Sequence, residues 1–379
     1  MDLFKAISYR ITCVYNSKQM SKKAIEADKE CKPMSDQQQF DFKANYLAFL
    51  NHEPTPFIPS NTVGHMYYGF GAVNGPAIEK GAQFGDCMDG FGNKWEYPAT
   101  GGGAGVPDCH VIPLDDVCEW RDQITIPDPS AYDWKADYEM ECQMIGAPDR
   151  DAILVDFGFG NGVFERLSAL MGFEEALIAM VADPDETYEL LEAITDYKVA
   201  ALDYIIDAYH PDCITYYDDI ATEKDLFMSP ETYRSMIKPH HKRFAQECLK
   251  RGIIPIYHCC GHAEAIVEDM IDCGWAAWSS VQISNDICGL IEKYGHQIGF
   301  VGGFDSNGAP AREDATDEMV AADIKRALDE YGKYGYGYCF MGFRYLNTLE
   351  LEVIIRTMMP FATVATEYAF EIMARNQAS

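Results

Sequence analysis

Positive charge is what this sequence is short of: 30 lysines and arginines stand against 60 aspartates and glutamates, a net charge of -30 over 379 residues. That balance argues against nucleic acid or an anionic membrane surface as the partner, since both are held by basic clusters. No arginine occurs between Arg10 and Arg121, so a highly anionic small molecule is disfavoured unless a local basic pocket exists. No run of roughly twenty apolar residues appears, which leaves no candidate membrane-spanning helix. The opening Met1-Asp2-Leu3-Phe4-Lys5 lacks the basic and apolar regions of a secretory signal. The 13 cysteines include no Cys-x-x-Cys pair, so neither a disulfide framework nor a closely paired structural zinc site is expected. A reducing, cytoplasmic setting fits. Internal repeats and low-complexity tracts are also missing.

What is present is regular punctuation. Short, largely apolar runs recur at 153–157, 213–217, 253–257, 276–281, 298–301 and 336–341, as expected of strands buried on both faces. Between them lie helical patterns. Leu191, Ile194, Leu202 and Ile205 share one side of 184–209, Ser229-Pro230-Glu231 reads as a helix start, and Val320, Ile324, Leu328 and Tyr331 form another stripe. Strand and helix in alternation imply a parallel sheet. Adding a first strand from Phe57-Ile58-Pro59 leading to His65, Met66, Tyr67 and Tyr68, and another between Gly85 and Tyr97, brings the count to about eight, the number of a (β/α)8 TIM barrel. A doubly wound open sheet is the alternative. Residues 1–50 read as an N-terminal helical extension, with Phe40, Phe42, Tyr46, Leu47 and Leu50 on one face, and 51–379 as the catalytic domain. The aperiodic, glycine-rich stretch 69–113, containing Phe91, Trp95 and Tyr97, reads as an ordered lid or pocket wall.

Both architectures place a site at the carboxyl ends of the strands. The residues there are Asp156, Tyr217-Asp218-Asp219, His258-Cys259-Cys260, Gln282, Phe304-Asp305, and Cys339 followed by Phe343 and Arg344. Alternate residues of a strand share a face, so His258 and Cys260 project together and Cys259 points away. A lone His-x-Cys is more often buried core than ligand. Cys339, on the same rim, completes a His-Cys-Cys set with one exchangeable position, the pattern of catalytic zinc.

Five stretches resemble the uroporphyrinogen decarboxylase superfamily, including its cobalamin-dependent methyltransferase branch. They are Phe49-Leu50-Asn51-His52-Glu53-Pro54, Tyr217-Asp218-Asp219-Ile220-Ala221, Ser229-Pro230-Glu231-Thr232-Tyr233, His258 to Gly261, and Gly302-Gly303-Phe304-Asp305. The resemblance implies a single (β/α)8 barrel. The decarboxylase branch holds a polycarboxylate with N-terminal arginines that this chain lacks. The methyltransferase branch is matched through His258, Cys260 and Cys339 as zinc ligands. It implies transfer of a methyl group from a small, aromatic methoxylated substrate to the cob(I)alamin of a separate corrinoid protein, an O-demethylase reaction. The alternatives are transfer from methylcobalamin to a thiol such as coenzyme M, or a decarboxylase-like activity. The cofactor must arrive on a partner, because the Asp-x-His-x-x-Gly pattern of a corrinoid module is absent. Asp219 and Asp218 are candidates for acid catalysis or a fourth ligand, with helix capping as the alternative. His65, Tyr67, Tyr68, Trp95, Phe304, Asp305, Phe343, Arg344 and Asn347 are the candidate substrate-binding residues, Asp305 having capping as its alternative. Glu174, Glu189 and His210 match a Glu-x14-Glu-x20-His zinc pattern of related O-demethylases, but their placement on helices and before a strand makes them the second choice.

Overall fold

The computed structural model describes residues 40–69, 87–96, 105–344 and 351–378. Seven strands form one parallel sheet. They are β1 (His65–Tyr68), β5 (Leu154–Phe159), β6 (Cys213–Tyr217), β7 (Ile254–His258), β8 (Ala277–Val281), β9 (Gly299–Gly303) and β10 (Tyr338–Met341), and they lie side by side in that order. Six agree with the apolar runs read from sequence to within two residues at either end.

Two expected strands differ. Phe57-Ile58-Pro59 forms no strand; beside it a single parallel bridge joins Ser60 to Phe340 of β10, with the Phe340 amide donating to Pro59 O at 2.8 Å. Prolines at 54, 56 and 59 remove the amides a continuous ladder needs. The described part of the 85–97 region, residues 87–96, does not enter the parallel sheet either. It builds a small antiparallel sheet of β2 (Cys87–Met88), β3 (Lys94–Glu96) and β4 (Val106–Pro107). The cause is local: the Asp89 carboxylate accepts the amides of Phe91 and Asn93, both at 2.9 Å, and folds the chain back on itself. Among the described residues the parallel sheet is thus a curled, barrel-like one of seven strands whose last strand is bridged to the chain just before the first.

Strand parity sorts the core. Phe157, Ile214, Tyr216, Tyr257, Trp278 and Phe300 pack outward in the large cluster shared with the helices. Leu154, Cys213, Ile256, Ala277, Val301, Cys339 and Met341 face inward with Tyr46, Phe49 and Leu50 of α1 (Phe42–Leu50). Asp41 caps α1 by accepting the Ala44 amide at 2.8 Å. A side chain at Gly299 would collide with the Phe49 ring, so glycine there lets α1 close the amino end of the sheet. The outer layer holds α2 (Trp134–Ile145), α3 (Val163–Met171), α4 (Phe173–Ala182), α5 (Pro184–Tyr209), α6 (Lys238–Lys250), α7 (Val267–Cys273), α8 (Ile287–Tyr294), α9 (Asp317–Tyr331) and α10 (Leu351–Ala378). No helix among the described residues is long and apolar enough to cross a membrane.

One packing contact sets a pH dependence. Glu141 of α2 is buried and accepts the Gly69 amide at 2.9 Å, and burial raises its carboxyl to about 8. The folded chain therefore keeps a proton that the unfolded chain has already lost above its ordinary value of 4.5. The associated stability is full below that value and disappears as pH rises through the folded one. Glu141→Gln should remove up to about 1 kcal/mol per pH unit of this slope. Urea midpoints measured at about pH 6 and about pH 8.5 should fall less for the variant than for the wild type.

Candidate functional site

Three strand ends converge at the carboxyl rim. Tyr217 of β6 pairs in register with His258 of β7, and His258 with Ser279 of β8. Inward parity holds for His258 and Cys260, whose Nε2 and Sγ lie 3.6 Å apart, whereas Cys259 is buried on the opposite side with its sulfur at the Ile220 amide. Asp219, just beyond β6, brings its carboxylate into the same group. Ligand atoms of Asp219, His258 and Cys260 all fall within 4.8 Å of one another.

The surrounding hydrogen bonds fix each donor. Asp219 Oδ1 accepts the Cys260 amide at 2.7 Å, and Glu165 Oε1, in the first turn of α3, accepts the Asp219 amide at 3.3 Å. The Ser279 hydroxyl lies 3.2 Å from His258 Nδ1 and donates to Met341 Sδ at 3.9 Å. With Ser279 partnering Nδ1, His258 Nε2 is the ring nitrogen that faces Cys260. The Tyr217 ring packs on His258 at 4.3 Å. Burial lowers the pKa of His258, keeping the imidazole neutral. Burial and, after it, the Asp219 charge push the Cys260 thiol up, partly offset by a hydrogen bond from Ser280. A bound cation reverses that preference, because a coordinated thiol loses its proton. Neutral imidazole, thiolate and carboxylate are all zinc donors.

A cavity of about 310 Å³ opens on the same rim, lined by Glu223, Gln282, Ile283, Ser284, Asp305, Ser306, Asn307 and Gly308. Deeper between the strands, His65 Nε2 meets Asp156 Oδ2 at 3.1 Å, and Thr215 donates its hydroxyl to the same oxygen at 2.6 Å.

The other residues singled out from sequence divide by the direction they face. Cys339 is not among the donors that meet at His258 and Cys260. It is fully buried with Tyr46, Phe49, Ile256 and Val301, and burial raises its thiol pKa. Asp218 alternates away from Asp219 and caps α3, accepting the Glu165 amide at 2.9 Å and meeting His241 Nε2 at 2.7 Å, the contacts of the capping alternative. His65 and Tyr67 point inward, their rings 4.4 Å apart. Tyr68 points outward, donating to Gly146 O at 2.6 Å against Tyr138 and Tyr209. Trp95 is buried beside Ala169, its Nε1 donating to Asp89 at 2.8 Å. Phe304 packs edge-on against Phe361 at 4.9 Å, and Phe340 is in the outer core.

Phe343 rests on the inner cluster. Asp305 reaches the cavity but also accepts the Gly308 amide at 2.7 Å. Arg344 donates from Nη2 alone to the carbonyls of Arg312 and Glu313, while its Nε is buried with no partner among the described residues. Asn347 and Tyr345 lie outside the described residues. Glu174 sits in the first turn of α4, Glu189 is exposed and paired with Arg121, and His210 ends α5; no convergent donor group among the described residues includes them.

Glu165 and Ser279 were not anticipated. A charged or hydroxyl residue at an inward or rim position of an otherwise apolar element is the signal that marks both.

A sequence model of the family described as uroporphyrinogen decarboxylase (URO-D) matches residues 148–341, just over half of the chain. No curated protein sequence matches. Among solved structures, a methyltransferase from Methanosarcina mazei superposes with a TM-score of 0.62 at 16% identity, covering 88% of this chain and 99% of that one. The likeness to D-psicose 3-epimerase with D-tagatose from Clostridium cellulolyticum H10 is weaker, with a TM-score of 0.36 at 12% identity over 65% of this chain and 85% of that one. Asp219, His258 and Cys260 all lie inside the span that matches the family, and the chain belongs to the uroporphyrinogen decarboxylase family.

Proposed function

We propose that this protein is a zinc-dependent methyltransferase that moves a methyl group from a small, uncharged methyl ether to the cob(I)alamin of a separate corrinoid protein. The observation that carries the reading is the meeting of His258 Nε2, Cys260 Sγ and the Asp219 carboxylate at the rim. The fold shared with a methyltransferase over most of both chains supports it.

His258, Cys260 and Asp219 would hold the metal, leaving one position for the substrate. Zinc bound there supplies Lewis-acid chemistry, polarising the ether oxygen and stabilising the negative charge it gains. Ser279 partners the imidazole at Nδ1, Glu165 and the Cys260 amide fix Asp219, and Tyr217 packs beneath. In the transfer the carbon–oxygen bond would break with its electron pair going to oxygen, the methyl carbon would form its new bond with the electron pair of the cob(I)alamin acceptor, and the oxygen would take a proton from solvent.

The rim favours this direction over the thiol alternative. Glu223 and Asp305 line the cavity and Glu165 and Asp219 lie at the donors, so an anionic thiol such as coenzyme M meets like charge. Of the described aromatic residues expected to line the pocket, Tyr67 and Phe343 are turned toward the interior, with Tyr217 packed on His258 beside them, which makes a methoxyarene one member of the class and not its definition. Incubating the protein with reduced corrinoid protein and a panel of methoxyarenes and simple methyl ethers should convert the cob(I)alamin spectrum to that of methylcobalamin. Thiol methylation from methylcobalamin, with no ether consumed, would support the alternative.

A further inference from the structure

A second set of donors lies inside the sheet, one layer below the rim. Asp156 and Cys213 are register partners on β5 and β6, and His65 comes from β1. Ligand atoms of all three fall within 4.8 Å of one another, and all three residues are buried.

The hydrogen bonds around them leave an electrostatic contradiction that needs a cation. His65 Nδ1 lies 3.2 Å from Asn61 O. A carbonyl only accepts, so Nδ1 carries the proton and Nε2 of the neutral ring presents a lone pair. That lone pair faces Asp156 Oδ2 at 3.1 Å, an oxygen already accepting the Thr215 hydroxyl at 2.6 Å, while Oδ1 accepts the Thr215 amide at 3.0 Å. Two acceptors at that distance in a dry interior repel unless a positive charge stands between them. A proton on Nε2 would answer for His65 and Asp156 alone. It leaves the Cys213 thiol as a third group on the same carboxylate, hydrogen-bonded to Asp156 and 4.0 Å from the Val155 carbonyl.

A divalent metal answers for all three. Donors on a tetrahedral zinc ion with bonds of about 2.0–2.3 Å stand roughly 3.3–3.7 Å apart, and these three lie within 4.8 Å of one another with His65 and Asp156 at 3.1 Å. A ring N–H given to a backbone carbonyl and a carboxylate steadied by a hydroxyl are the outer contacts that metal ligands ordinarily have.

We propose that His65, Asp156 and Cys213 bind a second, structural divalent metal of the zinc type, which ties β1, β5 and β6 together beneath the rim. This site does not depend on the rim reading. Its test begins with Cys260→Ser, which leaves every inner residue intact. Refolded with zinc, the wild type should hold about two ions per chain and Cys260→Ser about one. Loaded with cobalt(II), Cys260→Ser should still show a near-ultraviolet thiolate-to-cobalt band, and Cys213→Ala combined with Cys260→Ser should lose it. Should Cys260→Ser hold no metal and show no such band, His65 and Asp156 form a proton-linked pair and the inner site is overturned. If the metal retained by Cys260→Ser is lost in Cys213→Ala with Cys260→Ser, the inner site stands, whatever the rim is found to do.

Discussion

Cys260→Ser should lower methyl transfer to cob(I)alamin by about a thousandfold, the equivalent of the several kcal/mol that a metal Lewis acid contributes to a developing oxyanion. Serine keeps the shape and the inward parity but not the soft, easily ionised donor. His258→Ala should behave likewise. Asp219→Asn should lose less of the metal, since an amide oxygen can still approach it, but it weakens the acceptor that fixes the Cys260 amide. The telling control is Cys339→Ala. Its thiol is fully buried among Tyr46, Phe49 and Val301, so its removal should cost about 1 kcal/mol of stability through a small cavity and leave rim metal and turnover unchanged. Metal content and single-turnover rates on the same preparations decide it. A Cys339→Ala protein that binds zinc as poorly as Cys260→Ser would restore the His-Cys-Cys set expected from sequence and displace Asp219.

The placing of Asp219, and not Cys339, beside His258 and Cys260 shows where sequence reasoning stops. Parity is local, and it correctly put His258 and Cys260 on one face with Cys259 on the other. Which residues from other strands stand at the same height depends on the stagger between strands and on where the chain leaves each one. Asp219 lies just beyond β6, yet its carboxylate turns back to the Cys260 amide; Cys339 lies within β10 and stays among apolar neighbours. Period-two reasoning carried through would also have separated Tyr67 from Tyr68 and Asp219 from Asp218, since each pair is split between the inner and outer faces. The strand order needed no such detail, because alternating buried strands and helices admit few arrangements. What was illegible was the 85–97 segment, where one aspartate's contacts with neighbouring amides outweigh an aromatic run that reads as a strand.

The same aspartate is the anchor of the largest stability effect expected. Arg166 of α3 and Asp89 are both fully buried at their side chains and meet at 2.5 Å, while the guanidinium also donates to Asn93 at 2.9 Å and lies over the Phe91 ring at 4.1 Å. Asp89 further accepts the Trp95 indole and the Phe91 and Asn93 amides. Removing the arginine leaves that carboxylate buried with dipoles but no countercharge. Arg166→Met should therefore destabilise the protein by about 3–5 kcal/mol, against about 0–1 kcal/mol for breaking an exposed pair such as Arg121–Glu186. Methionine fills most of the volume, so the loss reports charge and not a cavity. Adding Asp89→Asn should recover part of it, because an amide needs no countercharge. Urea unfolding of the two single variants and the double measures the coupling. A loss below about 1 kcal/mol for Arg166→Met would mean that Phe91 and Trp95 hold the small sheet against α3 by apolar contact alone. The expected larger loss would make a buried ion pair the strut that keeps Glu165, the residue next to Arg166, in reach of Asp219 at the rim.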